Sequence, residues 1–115
     1  PVLQWMPEPA GCESTRWLSC FTLQGEAPQA RRDRLLQMLE RHAIEARPVW
    51  KPMHLQPLFR GAPYFAHAPG QDVSADLFER GVCLPSGSNL SEAQIDRVIG
   101  HLRRALAPQG SARVA

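Results

Sequence analysis

The 115-residue chain has room for one domain and one hydrophobic core. Apolar residues make up 43% and charged residues 21%, close to globular averages, which excludes a disordered chain except at its ends. The net charge of +2 rests on twelve arginines and a single lysine dispersed without any run of five like charges, so no nucleic-acid partner is expected.

Apolar stretches are only a few residues long, far short of the ~20 needed to span a bilayer, so no membrane partner is expected either. No charged n-region leads into an apolar h-region. Cys12, Cys20 and Cys83 are odd in number and unpatterned in spacing, which suits a reducing compartment and small core positions. The expectation is a cytoplasmic protein. Its start, Pro1-Val2-Leu3-Gln4-Trp5, reads as a cut within a longer chain.

Residues 1–14, with Pro1, Pro7, Pro9 and Gly11, read as a linker or entry segment. Thr15 to Leu23 is rich in apolar, aromatic and β-branched residues on both parities, the pattern of a strand buried on both faces. Pro28 then suits the first position of a helix running to about His42. Leu35, Met38, Leu39 and His42 form its apolar stripe, with Arg31, Arg32, Arg34, Gln37 and Arg41 on the rest. Ile44 to Val49 alternates like a short strand that Pro48 places at a sheet edge.

Five prolines from Pro48 to Pro69, amid Trp50, Phe59, Tyr64 and Phe65, forbid regular structure through the next twenty residues. Aromatic content argues for an ordered, functional loop. Val73 to Arg80 follows as a helix with Asp72 or Ser74 as cap and Gly81 at its C-terminal stop. Val82 to Leu84 is a short buried strand ended by Pro85. Ser91 and Gln94 make a capping box that opens a last helix, with Ile95, Val98, Ile99, Leu102 and Leu106 as its buried stripe. Residues 15–107 therefore read as a two-layer α+β domain, a small sheet with helices packed against it. Residues 108–115 read as a flexible tail.

Among candidate site residues, His54 and Gln56 lie between Pro52 and Pro57 and carry groups suited to sugar hydroxyls or phosphate oxygens. Arg47, Lys51 and Arg60 nearby favour an anionic ligand over a merely capping histidine. Lys51, the only lysine, stands in a loop where a ligand contact is more natural than Schiff-base chemistry. His42, His67 and His101 have no such company. Metal binding is not expected, because no Cys-x-x-Cys or His-x-x-x-His spacing exists. Ser86 to Asn89 could hold an anion before the last helix or simply turn the chain.

Arg47-Pro48-Val49-Trp50-Lys51-Pro52-Met53-His54-Leu55-Gln56-Pro57, followed by Leu77-Phe78-Glu79-Arg80-Gly81-Val82-Cys83-Leu84-Pro85-Ser86-Gly87-Ser88-Asn89-Leu90, resembles the C-terminal region of the DegT/DnrJ/EryC1/StrS sugar aminotransferases. That resemblance implies the C-terminal small domain of the aspartate aminotransferase fold, type I of the pyridoxal-phosphate (PLP) transferases. It also implies a cytoplasmic homodimer that moves an amino group from L-glutamate to a nucleotide-linked keto sugar, in amino-sugar synthesis for bacterial surface polysaccharide. The Schiff-base lysine and pyridine-facing aspartate would belong to a missing N-terminal PLP-binding domain. This segment alone would then be inactive and bind no cofactor, with no catalytic residue of its own. His54 would lie near the substrate, with Gln56 and Lys51 as weaker contacts. The alternative reading is a freestanding module that binds a small anion or a partner without catalysis.

Overall fold

A computed structural model of the chain describes residues 2–15 and 17–107. Four strands, β1 (Leu3–Trp5), β2 (Ser19–Leu23), β3 (Arg47–Pro48) and β4 (Gly81–Leu84), form one antiparallel sheet in the order β1-β2-β4-β3. Helices α1 (Pro28–Arg41), α2 (Val73–Arg80) and α3 (Glu92–Leu106) complete a two-layer α+β domain. No helix among the described residues is long and apolar enough to cross a membrane.

Strand alternation places Phe21, Leu23, Val82 and Leu84 on one face of the sheet and Cys20, Thr22 and Cys83 on the other. Leu35 and Leu39 of α1, Leu102 of α3 and Ile44 close over the first set to make the core. Phe21, Leu23, Leu39 and Val82 are fully buried, and each contributes roughly 1.5–3 kcal/mol through burial.

The helices start where local chemistry demands. Pro28 occupies the first turn of α1, and the Ser91 capping box opens α3, each side chain of Ser91 and Gln94 satisfying a backbone amide of the other. α1 ends in a Schellman arrangement, Ile44 N donating to Leu39 O (2.9 Å) and Ala43 N to Glu40 O (2.8 Å), with Ala43 left-handed at φ 51°. Ile44 is thus taken by the helix stop, which is why the third strand holds only Arg47 and Pro48 instead of running from Ile44 to Val49.

Four further expectations are corrected. Leu3–Trp5 is an edge strand inside the supposed linker, its prolines flanking the pairing with Phe21, Thr22 and Leu23 rather than interrupting it. β2 begins only at Ser19, so Trp17 precedes it and lies exposed. Arg32 is buried, not on the polar side of α1: its guanidinium bonds Asp33 Oδ1 (2.8 Å) and the Phe78 carbonyl and lies over the Phe78 ring, tying α1 to α2. Cys12 is exposed and Cys20 and Cys83 only partly buried, so none is a core residue.

Gly81 ends α2 for a reason other than the one expected. Its φ of −86° is ordinary, but a Cβ there would lie 2.4 Å from Leu77 O and 2.6 Å from Val49 Cγ2, so the close approach of β4 to the helix end requires glycine. The α3 stripe is likewise only half covered. Leu102 is buried, whereas Ile95 and Ile99 remain 44% and 38% exposed along an apolar groove of about 760 Å³ walled by Leu3, Trp5, Leu84 and Leu90. Residues 108–115, expected to be a tail, lie outside the described residues.

Candidate functional site

The loop from Trp50 to Pro57 is shaped by its prolines and by its own side chains. Pro52 and Pro57 frame a 3-10 turn at Met53–Leu55, and a second turn follows at Pro57–Phe59. The Gln56 side-chain amide donates to the Lys51 carbonyl (3.1 Å), closing the loop across its mouth. Gln56 is therefore occupied internally by its NH₂ group, leaving its carbonyl oxygen as the polar atom to offer.

His54 is held more firmly than any other residue of the loop. Its Nε2 lies 2.7 Å from Asp72 Oδ2, and its ring stacks on Tyr64 with centroids 3.7 Å apart and planes 16° from parallel. Tyr64 in turn donates its hydroxyl to Asp72 Oδ1 (2.8 Å). Asp72 is also the N-cap of α2, accepting from Ala75 N (2.9 Å) and Ser74 Oγ (3.0 Å). Those donors, the Ala75 amide foremost, overcome partial desolvation and hold the Asp72 carboxyl down at about 2. An ionised carboxylate only accepts, so His54 presents Nε2–H to it and keeps Nδ1 as its second polar atom.

Lys51 is exposed and forms no ion pair among the described residues. Beside it, Trp50 stacks on Trp17 from the segment before β2, centroids 5.9 Å apart at 28°, although both rings stay largely open to solvent. Met53, Leu58 and Phe65 are exposed on the same stretch. The loop thus offers a cation, aromatic faces and apolar side chains over a rigid His54 anchor.

The three sequence-derived site residues are brought together in one loop, but with unequal freedom. Asp72, Tyr64 and Trp17 join them from outside it. Asp72 had shown only as a helix cap, and nothing in local spacing links it to a histidine 18 residues earlier. Ser86 turns the chain: its hydroxyl donates to Leu84 O (2.8 Å) and accepts from Ser19 N (2.7 Å), fastening the ends of β2 and β4. His42 and His101 pack against each other between α1 and α3, away from the loop, with centroids 4.0 Å apart. No group of three or more His, Cys, Asp or Glu side chains converges for a metal among the described residues.

A four-stranded antiparallel sheet with three helices and a proline-framed histidine loop after β3 is a fold that solved aminotransferases contain as one part of a longer chain. The chain belongs to the DegT/DnrJ/EryC1/StrS aminotransferase family, whose model matches residues 3–103. It is 47% identical over 98 residues to EpsN of Bacillus subtilis (strain 168), described as a pyridoxal phosphate-dependent aminotransferase, covering 84% of this chain and 24% of that protein. With a GDP-perosamine synthase of Caulobacter vibrioides it shares 38% identity, over 78% of this chain and 23% of the relative. The crystal structure of a family member from Brucella abortus matches 93% of this chain and 27% of its own, at 29% identity and a TM-score of 0.71. This chain spans about a quarter of the length of the proteins it matches.

The cofactor of such enzymes needs a lysine in an enclosing, desolvated pocket. Lys51 is the only lysine, and it is exposed on a loop. The described residues therefore do not fit a pyridoxal-phosphate Schiff base.

Proposed function

We propose that this chain is the C-terminal small domain of a PLP-dependent sugar-nucleotide aminotransferase and that it supplies substrate contacts while an N-terminal domain holds the cofactor. The whole enzyme transfers an amino group from L-glutamate to a nucleotide-linked keto sugar, as a cytoplasmic homodimer serving surface-polysaccharide synthesis. The single observation that carries this reading is the Trp50 to Pro57 loop, with His54 pinned by Asp72 inside a chain of this family. A rigid imidazole with Nδ1 to offer, a free ammonium at Lys51 and the Gln56 carbonyl suit a polar, anionic sugar nucleotide.

Two further observations support it. The family relative named GDP-perosamine synthase carries a nucleotide-linked sugar in its name. The apolar groove beside α3, with Ile95 and Ile99 exposed along it, suits coverage by the rest of a longer polypeptide.

The test is amino transfer by the intact protein supplied with pyridoxal phosphate, L-glutamate and a nucleotide-linked keto sugar. Formation of the amino sugar with equimolar 2-oxoglutarate is expected. Sugar-nucleotide binding without any transfer would point instead to the freestanding anion-binding module.

A further inference from the structure

Two thiols face each other across the middle of the sheet. Register aligns Cys20 of β2 with Cys83 of β4, and their Sγ atoms are 3.3 Å apart. The backbone fixes what kind of pair this is. Cys20 O accepts from Met6 N (3.3 Å) and Gln24 N donates to Val2 O (3.0 Å), so the even-numbered residues of β2 direct their backbone groups to β1. On β4, Gly81 O accepts from Val49 N (3.2 Å), so Gly81 and Cys83 direct theirs to β3. Cys20 and Cys83 consequently oppose each other as a non-hydrogen-bonded pair, the class in which Cα atoms approach to about 4.5 Å and side chains come closest.

That separation lies within the range a disulfide bridges, and side-chain rotation closing the sulfurs by roughly 1 Å would complete the bond. Reagents have access as well. Both thiols are partly exposed, and Cys20 lines an open cleft of about 190 Å³ with Met6, Ser14 and Leu18. Nothing in amino transfer uses this pair, so the inference stands apart from the function proposed above.

We propose that Cys20 and Cys83 are an oxidative modification site, converted by a two-electron oxidant of the peroxide class into a reducible cross-strand disulfide. The Cys20 thiol gives up its proton as its sulfur attacks one peroxide oxygen, the O–O bond breaks, and the departing hydroxide collects that proton as water, leaving Cys20 as a sulfenic acid. The Cys83 sulfur then attacks the sulfenic sulfur, and its proton leaves with the expelled hydroxide as a second water. Two thiols and one peroxide give one disulfide and two waters; the sulfurs lose two electrons and the peroxide gains them. Cys20 lines the open cleft and Cys83 does not, so an oxidant entering there meets Cys20 first and Cys83 takes the resolving step; burial, then the neighbouring Cys20, pushes the Cys83 thiol up. The bond would enclose α1, the Trp50 to Pro57 loop and α2 in one covalent loop, so the oxidised protein should resist unfolding better than the reduced one.

The intact protein is exposed to hydrogen peroxide, denatured, alkylated with iodoacetamide and digested. The expected products are alkylated Cys12 and a linked Cys20 and Cys83 peptide pair lighter by two hydrogens, with dithiothreitol restoring all three thiols. The oxidised protein should run as a monomer on a non-reducing gel and melt at a higher temperature. In Cys83→Ser, whose volume change is small, dimedone should trap a sulfenic acid at Cys20 that the wild type does not accumulate. Full alkylation of Cys20 and Cys83 after oxidation, a linkage involving Cys12, or equal dimedone labelling in both proteins would overturn the proposal.

Discussion

Asp72 Oδ2 lies 2.7 Å from His54 Nε2, while the other oxygen of the same carboxylate caps α2. One ionised side chain thereby fixes both the start of a helix and the orientation of the loop histidine. The order of the loop and the order of α2 are coupled through that group.

This coupling predicts an acid-sensitive stability. The Asp72 carboxyl, held at about 2 chiefly by the Ala75 amide, has an ordinary value of 3.8 when unfolded. A depressed carboxyl contributes stability above its unfolded value and loses it as pH falls from there through the folded one. Urea midpoints of the wild type and Asp72→Asn should differ at neutral pH and converge as pH falls from 3.8 to about 2. A gap that stays constant through that window would contradict the assignment.

Gly81 should be intolerant of any side chain. Its Cβ would meet backbone at Leu77 O as well as Val49, and backbone cannot swing aside as a flexible side chain can. Gly81→Ala should cost about 1–3 kcal/mol in denaturant unfolding, the usual range for overpacking. A change below measurement error would mean that β4 and the end of α2 are further apart than described.

A second pH dependence should arise between α1 and α3. Partial desolvation, then His42, Arg104 and Arg97, depress His101 below its ordinary 6.5, so the folded state disfavours its charged form. Stability is complete above 6.5 and declines as pH falls through that value toward the folded one. His101→Gln should flatten this part of the thermal-melting profile, and parallel profiles for the two proteins would refute the coupling.

Much of the fold was legible because its signals are local. The Ser91 and Gln94 capping box, Pro28 and the periodic Leu35, Leu39 and Leu102 each lie within a turn or two of what they determine. β1 was not legible, since Leu3–Trp5 is made a strand only by pairing with β2 across the intervening segment. Arg32 was misplaced because its burial depends on a carbonyl and a ring contributed by Phe78, on a different helix. The candidate loop was found through its prolines and motif. Its anchoring was not, because the Asp72 to His54 contact and the Tyr64 stack exist only after the chain has folded back on itself.

The central claim is that this domain recognises substrate and leaves cofactor chemistry to another part of the enzyme. His54→Ala in the intact, PLP-loaded protein tests it most directly, with kcat/KM for the nucleotide-linked keto sugar and the cofactor's absorbance band measured on the same sample. A lost hydrogen bond to a charged ligand is worth about 1.5–3 kcal/mol, so kcat/KM should fall by roughly ten- to a hundredfold while the absorbance band holds. Unchanged kinetics, or loss of the cofactor band, would contradict it.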